Sequence, residues 1–148
     1  LRIEKGHLSV GTEMDGRTTP MDLGLRKMVS TKKSFIGSSL LQRPALNESS
    51  RPQLIGLTPS DGKTAIPVAA MLCNQPWQQG VIQVSQGILT ASIFSPGLKQ
   101  PIALALLKNG QQRHNERLWA VSPITQQSTE VTVGPSCFYD PKGERVHD

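Results

Sequence analysis

The chain has 148 residues, 36% hydrophobic, 4% aromatic and 18% charged, a balance that supports a core of Leu, Ile, Val, Ala and Met and excludes an intrinsically disordered chain. Its length suits one medium domain, or one domain with an attached fragment. The formal net charge of +5 is scattered, with clusters at Arg26–Lys27 and Lys32–Lys33 but no basic stripe interleaved with aromatics, which argues against nucleic acid, and no apolar run is long enough to span a membrane.

The chain opens at Leu1-Arg2-Ile3-Glu4, charged and strand-like with no initiating Met, as expected of a piece of something longer. Thr18-Thr19-Pro20 predicts a helix start: Thr19 caps, Pro20 takes the first helical position and Asp22 follows three residues after the cap. Met21, Leu25, Met28 and Val29 carry the helical spacing onward. A second short helix is predicted from Ile36 to Gln42, stopped by Pro44. The polar run 47–52 marks a boundary, so that 1–50 and 51–148 are expected to be different units.

Beyond it the chain reads as strands and turns. Strands are predicted at 53–57, 66–72, 80–84, 87–92, 101–107, 118–121 and 130–133, with a turn at Pro59-Ser60-Asp61-Gly62. Residues 101–107 are apolar on both faces, which predicts burial on both sides or the lining of a tapering barrel. Asn109-Gly110 predicts a tight hairpin. The spacing predicts a small barrel or sandwich.

Chemistry-bearing motifs are scarce. There is no G-x-S-x-G, P-loop, dinucleotide fingerprint or H-E-x-x-H. His7, His114 and His147 have no carboxylate or cysteine at ligand spacing and read as surface or structural residues. Cys73 and Cys137 are too few for a zinc framework; one disulfide is open to them, and two buried thiols is the preferred reading. Trp77 and Trp119 read as packing residues.

Several segments, in order, resemble a known family. Leu1-Arg2-Ile3-Glu4-Lys5-Gly6 is similar to the L-R-x-E-x-G segment of the glycine-cleavage T-protein (aminomethyltransferase-like) family, and Gly11-Thr12-Glu13-Met14-Asp15 and Thr18-Thr19-Pro20 continue it. Phe35-Ile36-Gly37 resembles the entry into that family's barrel, and Thr90 to Lys99 its S-P-x-L turn. The ending Phe138-Tyr139-Asp140-Pro141-Lys142-Gly143-Glu144-Arg145 resembles the close of sarcosine oxidase alpha subunits. Ala69-Ala70 departs where a glycine is common, and Ala91 and Ile93 where a serine and an aromatic are common.

The resemblance implies an α+β chain: the remnant of a folate-binding α/β domain over 1–50, then a six-stranded antiparallel Greek-key β-barrel over 51–148. It implies tetrahydrofolate as cofactor, the other sarcosine oxidase subunits as partners, and a cytoplasmic location. FAD, FMN and NAD are expected elsewhere in such a complex. It implies that Glu4 holds the pterin ring, whose neighbouring N–H donors suit a bidentate carboxylate. Without the resemblance, Glu4 would be expected to pair with Arg2 or Lys5 on the surface. Lys27, Lys32 and Lys33 read as a solvated face, and Thr90, Ser92, Ser95 and Pro96 as a loop near the cofactor. No catalytic residue or metal ligand is assigned on this segment. A chain of this kind standing alone is the other reading: a barrel that binds a protein partner, with a homodimer covering the face left bare.

Overall fold

Residues 101–107 are buried on both faces, and this organises the fold. In the computed structural model, which describes residues 1–146, the strand Gln100–Lys108 (β4) is buried from Pro101 to Leu107. Ala103, Ala105 and Leu107 join Ile55, Leu57, Leu72, Leu118, Val131 and Val133 in one core. Ile102, Leu104 and Leu106 face the other way and pack with Leu54 against Ile3 and Leu23 of the N-terminal segment. The first set fills the barrel; the second is covered by residues 1–25. Strand periodicity of two separates the two sets.

Six strands close the barrel. They are Pro52–Pro59 (β1), Met71–Cys73 (β2), Gly87–Ser95 (β3), β4, Arg117–Ser122 (β5) and Gln127–Gly134 (β6). All pairings are antiparallel, in the order β1-β4-β3-β2-β5-β6, with β6 returning to β1. Strands β2, β3 and β4 are successive neighbours and β1 lies beside β4, a Greek-key arrangement. Closure removes the exposed edges that a small sheet would otherwise present. Strand β3 carries a bulge: Leu89 pairs with Ala105 and Ala91 with Leu104, leaving Thr90 as the extra residue.

Local expectations fail where the chain finds no partner. Residues 80–84 form no strand; Val81, Ile82 and Val84 are exposed, because the barrel closes without them. Of the predicted 66–72 strand only Met71 and Leu72 pair, in a strand Met71–Cys73, since Ala69 takes φ +56° and breaks the extended run. Asn109-Gly110 makes no hairpin. Asn109 is left-handed at φ 55°, but Gly110 opens a 3-10 turn that crosses from β4 to β5, which are not neighbours.

The helix expected from Thr19 is also absent, although its cap forms. Thr19 N and Oγ1 donate to Asp22 Oδ2 at 2.8 and 2.9 Å, and Asp22 N donates to Thr19 Oγ1 at 3.3 Å. One turn follows before Gly24, at φ +74°, ends it, and Met28 is 79% exposed. A single capped turn without a face to bury does not propagate. The second predicted helix is reduced to 3-10 turns at Leu40–Gln42 and Pro44–Leu46, the latter beginning at the proline expected to act as a stop.

The departure at Ala69 has an energetic consequence. A left-handed conformation costs an L-residue about 1–2 kcal/mol, and glycine returns part of that gain through unfolded-chain entropy. Ala69→Gly is therefore expected to stabilise the protein by roughly 0.5–1 kcal/mol. A denaturation midpoint that stays put or falls would contradict the strain at this position.

Candidate functional site

The motif residues spread over 1–13, 90–98 and 136–140 converge on one side of the barrel. Glu4 projects from a turn closed by Lys5 N to Leu1 O at 3.1 Å, Gly6 N to Ile3 O at 3.0 Å and His7 N to Arg2 O at 2.9 Å. Ile3 anchors that turn in the apolar layer outside β4. The Glu4 side chain is 15% exposed. Its Oε1 accepts a hydrogen bond from Ser95 Oγ at the end of β3, and Oε2 lies 3.2 Å from the Leu1 backbone nitrogen. Ser95 is buried, and Leu98 N donates to its Oγ at 3.1 Å, so the hydroxyl proton is free for Glu4. The Ser95 hydrogen bond holds the Glu4 carboxyl below its usual range.

Neither basic neighbour pairs with Glu4. Arg2 reaches Glu13 Oε2 at 3.4 Å, and Lys5 Nζ donates to Asp140 Oδ2 at 2.8 Å and to Asp140 O at 2.9 Å. The expected alternative for Glu4, a surface pair with Arg2 or Lys5, is thereby corrected: both cations are engaged elsewhere. The Glu4 carbonyl accepts from Phe138 N at 2.9 Å and Tyr139 N at 3.0 Å, which straps the C-terminal segment across the turn. Gly6 fits this contact for two reasons. Its φ is +68°, and a Cβ would lie 2.5 Å from Ser136 O.

An ionised carboxylate offers about four lone-pair directions, and Ser95 and Leu1 occupy two of them. The carboxylate is thus oriented and mostly shielded, with Gly97 also close to its Oε1. Sequence reasoning read Thr90, Ser92 and Ser95 as loop residues, whereas they lie in β3, with Ser95 at its end against Glu4. It also missed the Arg2–Glu13 and Lys5–Asp140 pairs; the only available signal was that each charged residue sits inside a quoted motif.

The other candidates separate. His7 and His114 are exposed, and His147 lies outside the described residues. Cys73 is a buried free thiol and Cys137 a half-buried one. Trp77 and Trp119 are half-buried. Lys27, Lys32 and Lys33 are exposed, and the last two line a cavity of about 500 Å³ with Arg26, Phe35 and Asn47. Thr90 Oγ1 donates to Leu104 O at 3.2 Å and Ser92 Oγ to Ile66 O at 2.9 Å, so these two hydroxyls are spent on the barrel. Among the described residues no helix is long and apolar enough to cross a membrane.

A closed Greek-key barrel with an N-terminal segment strapped to its outer face is shared with part of a glycine cleavage aminomethyltransferase. The glycine cleavage system aminomethyltransferase T of Bartonella henselae superposes with a TM-score of 0.73 at 21% identity, over 95% of this chain and 37% of that one. The chain is homologous to part of proteins named sarcosine oxidase subunit alpha and aminomethyltransferase. Likeness over nearly the full chain is found with sarcosine oxidase alpha subunits, among others: 37% identity with that of Rhizobium meliloti over 99% of this chain, and 34% with that of Corynebacterium sp. strain P-1 over 98%. The aminomethyltransferase of Pseudothermotoga lettingae is 34% identical over 73% of this chain. The chain spans 15% of those alpha subunits and 27% of that aminomethyltransferase. No protein-family model matches it.

Proposed function

We propose that this chain is the C-terminal portion of a sarcosine oxidase alpha subunit and supplies one wall of a tetrahydrofolate site, with Glu4 as the acceptor for the pterin ring. Residues 1–50 are then the end of the folate-binding domain and residues 51–148 the barrel that braces it. The single observation that carries the reading is the state of Glu4: a carboxylate 15% exposed and oriented by a hydrogen bond from Ser95.

The residues fit such a ring. The adjacent N–H donors of a pterin edge match two carboxylate acceptors, and charge-assisted pairs of this kind are stronger than neutral ones. Shielding from water strengthens the pair further. When bound, tetrahydrofolate supplies the amine that takes up a one-carbon unit to give 5,10-methylenetetrahydrofolate. The part played by this segment is to bind and orient. Glu4 fixes the ring, Ser95 fixes Glu4, and the 138–139 main chain fixes the turn beneath. Oxidation of sarcosine, with its FAD, FMN and NAD, belongs to other parts of the cytoplasmic complex and to the other subunits.

Glu4→Gln tests this in the full-length protein. Glutamine keeps the shape but replaces one acceptor by a donor that opposes the pterin. Loss of a charged hydrogen-bond pair costs about 1.5–3 kcal/mol, so tetrahydrofolate should bind roughly ten- to a hundredfold more weakly. Unchanged affinity in a direct titration would remove Glu4 from the site.

A further inference from the structure

We infer that Glu13 is a positioning residue for Glu4: its buried carboxylate holds Arg2, and Arg2 closes the turn from which Glu4 projects. The inference rests on the reading of Glu4 as pterin acceptor and adds the device that aims it.

Glu13 is fully buried, at 0% exposure. Its Oε2 accepts from Ser9 N at 2.7 Å, from Thr12 Oγ1 at 2.8 Å and from Arg2 Nη1 at 3.4 Å. The same Nη1 donates to His7 O at 2.9 Å, and His7 N returns to Arg2 O at 2.9 Å. Arg2 and His7 are therefore joined twice, and the turn between them contains Glu4. The other Glu13 oxygen, Oε1, is buried with no hydrogen bond. The nearby Thr90 hydroxyl, on the bulge of β3, gives its proton to Leu104 O instead.

A buried carboxylate with one idle oxygen is an expensive way to hold Ser9 and Thr12. Ionisation in such a place costs several kcal/mol unless a cation answers it, and a neutral amide would serve those two donors as well. Only Arg2 requires the charge. Burial pushes the Glu13 carboxyl up, but the hydroxyl, main-chain and guanidinium groups around it hold it below the usual range. It thus stays ionised at neutral pH and available to the guanidinium.

The arrangement also fixes the segment at two points. Glu13 is bonded to Ser9 and Thr12 of its own loop, and Glu4 to Ser95 of β3. Arg2 links the two carboxylates through the chain. Two fixed points and one link leave the Glu4 carboxylate little freedom to swing, as a ligand-binding group requires.

The test is a pair of double-mutant cycles in the full-length protein, read by the Kd for tetrahydrofolate. Glu13→Gln and Arg2→Met are each measured alone and together with Glu4→Gln. Arg2 is 40% exposed, so its replacement leaves a second variant should the buried change prevent folding. Each single change should weaken binding about tenfold, and neither should weaken it further once Glu4 is replaced. Equal losses in both backgrounds would mean general damage and overturn the inference. So would an unchanged Kd in both single variants while Glu4→Gln binds weakly. If Glu4→Gln itself binds normally, the assignment of Glu4 fails and the role of Glu13 falls with it.

Discussion

Replacing Asp22 by alanine is expected to destabilise the protein by about 3 kcal/mol or more, the cost of leaving one member of a buried ion pair alone. The Asp22 side chain is 4% exposed and that of Arg51 18%. Arg51 Nε lies 3.0 and 3.1 Å from the two Asp22 oxygens and Nη2 lies 2.6 Å from Oδ2, a bidentate fork. Thr19 adds two further donors to Oδ2. The pair also joins elements: Leu54 N of β1 donates to Asp22 O at 2.8 Å, and Arg51 Nη2 to Arg17 O at 2.8 Å. Loss of the carboxylate therefore leaves a guanidinium unpaired and loosens residues 17–23 from the barrel.

The same pair sets a pH dependence. Burial pushes the Asp22 carboxyl up, but the Arg51 and Thr19 hydrogen bonds and the Arg51 charge hold it below its ordinary value of 3.8. A lowered native value means that the unfolded chain takes up the proton first as pH falls. The contribution is thus complete above the ordinary value and is lost as pH drops through the native one. Urea unfolding of the wild-type and Asp22→Ala proteins at neutral pH, and again near pH 3, measures both effects. A difference under about 1 kcal/mol at neutral pH would show the pair to be of the weak surface kind, and a gap that fails to narrow in acid would contradict the sign.

Gly6→Ala carries the second large effect, and it reaches the candidate site directly. A Cβ here meets Ser136 O at 2.5 Å, a backbone atom, while φ is +68°. The left-handed strain alone costs about 1–2 kcal/mol, and the clash forces the turn away from the C-terminal segment. The turn cannot move freely, because the Glu4 carbonyl is bonded to Phe138 N and Tyr139 N and Lys5 to Asp140. Either those bonds break or Glu4 leaves Ser95. A displacement of about 1 Å in a positioning group costs binding or rate on the order of a hundredfold. Gly6→Ala should therefore lower both the melting temperature and the affinity for tetrahydrofolate. Gly16→Ala is the control, since no atom lies within 4 Å of its Cβ position and its φ is not left-handed. Equal behaviour of the two variants would show that the close approach at Gly6 does not govern the turn.

Much of the barrel is legible residue by residue. The alternation along 101–107 foretells a strand buried on both sides, and the Pro59–Gly62 turn is real: Asp61 Oδ1 accepts from Lys63 N and Thr64 N, both at 2.9 Å, and with the Thr64 hydroxyl these hold its carboxyl at about 2. What misleads is local preference without a place to pack. Residues 80–84 have strand composition but no neighbour, and the segment after Thr19 has a cap but no face to bury. Asn109-Gly110 has hairpin chemistry, yet the strands it joins are separated by β3 and β2 in the sheet order.

The amino-acid order by itself determines the elements whose causes are local: the two-faced strand, the Thr19–Asp22 cap and the turn at Asp61. The motif resemblance is what singles out Glu4 for the proposed role. Only the tertiary structure decides the partners of the charged residues. Glu4 meets Ser95 across 91 positions of sequence, Lys5 meets Asp140 across 135, and Arg2 takes Glu13 rather than Glu4. Hydrogen bonds and ion pairs act over about 3 Å, whereas the path that brings such distant groups together is set by barrel closure and by the apolar layer outside β4.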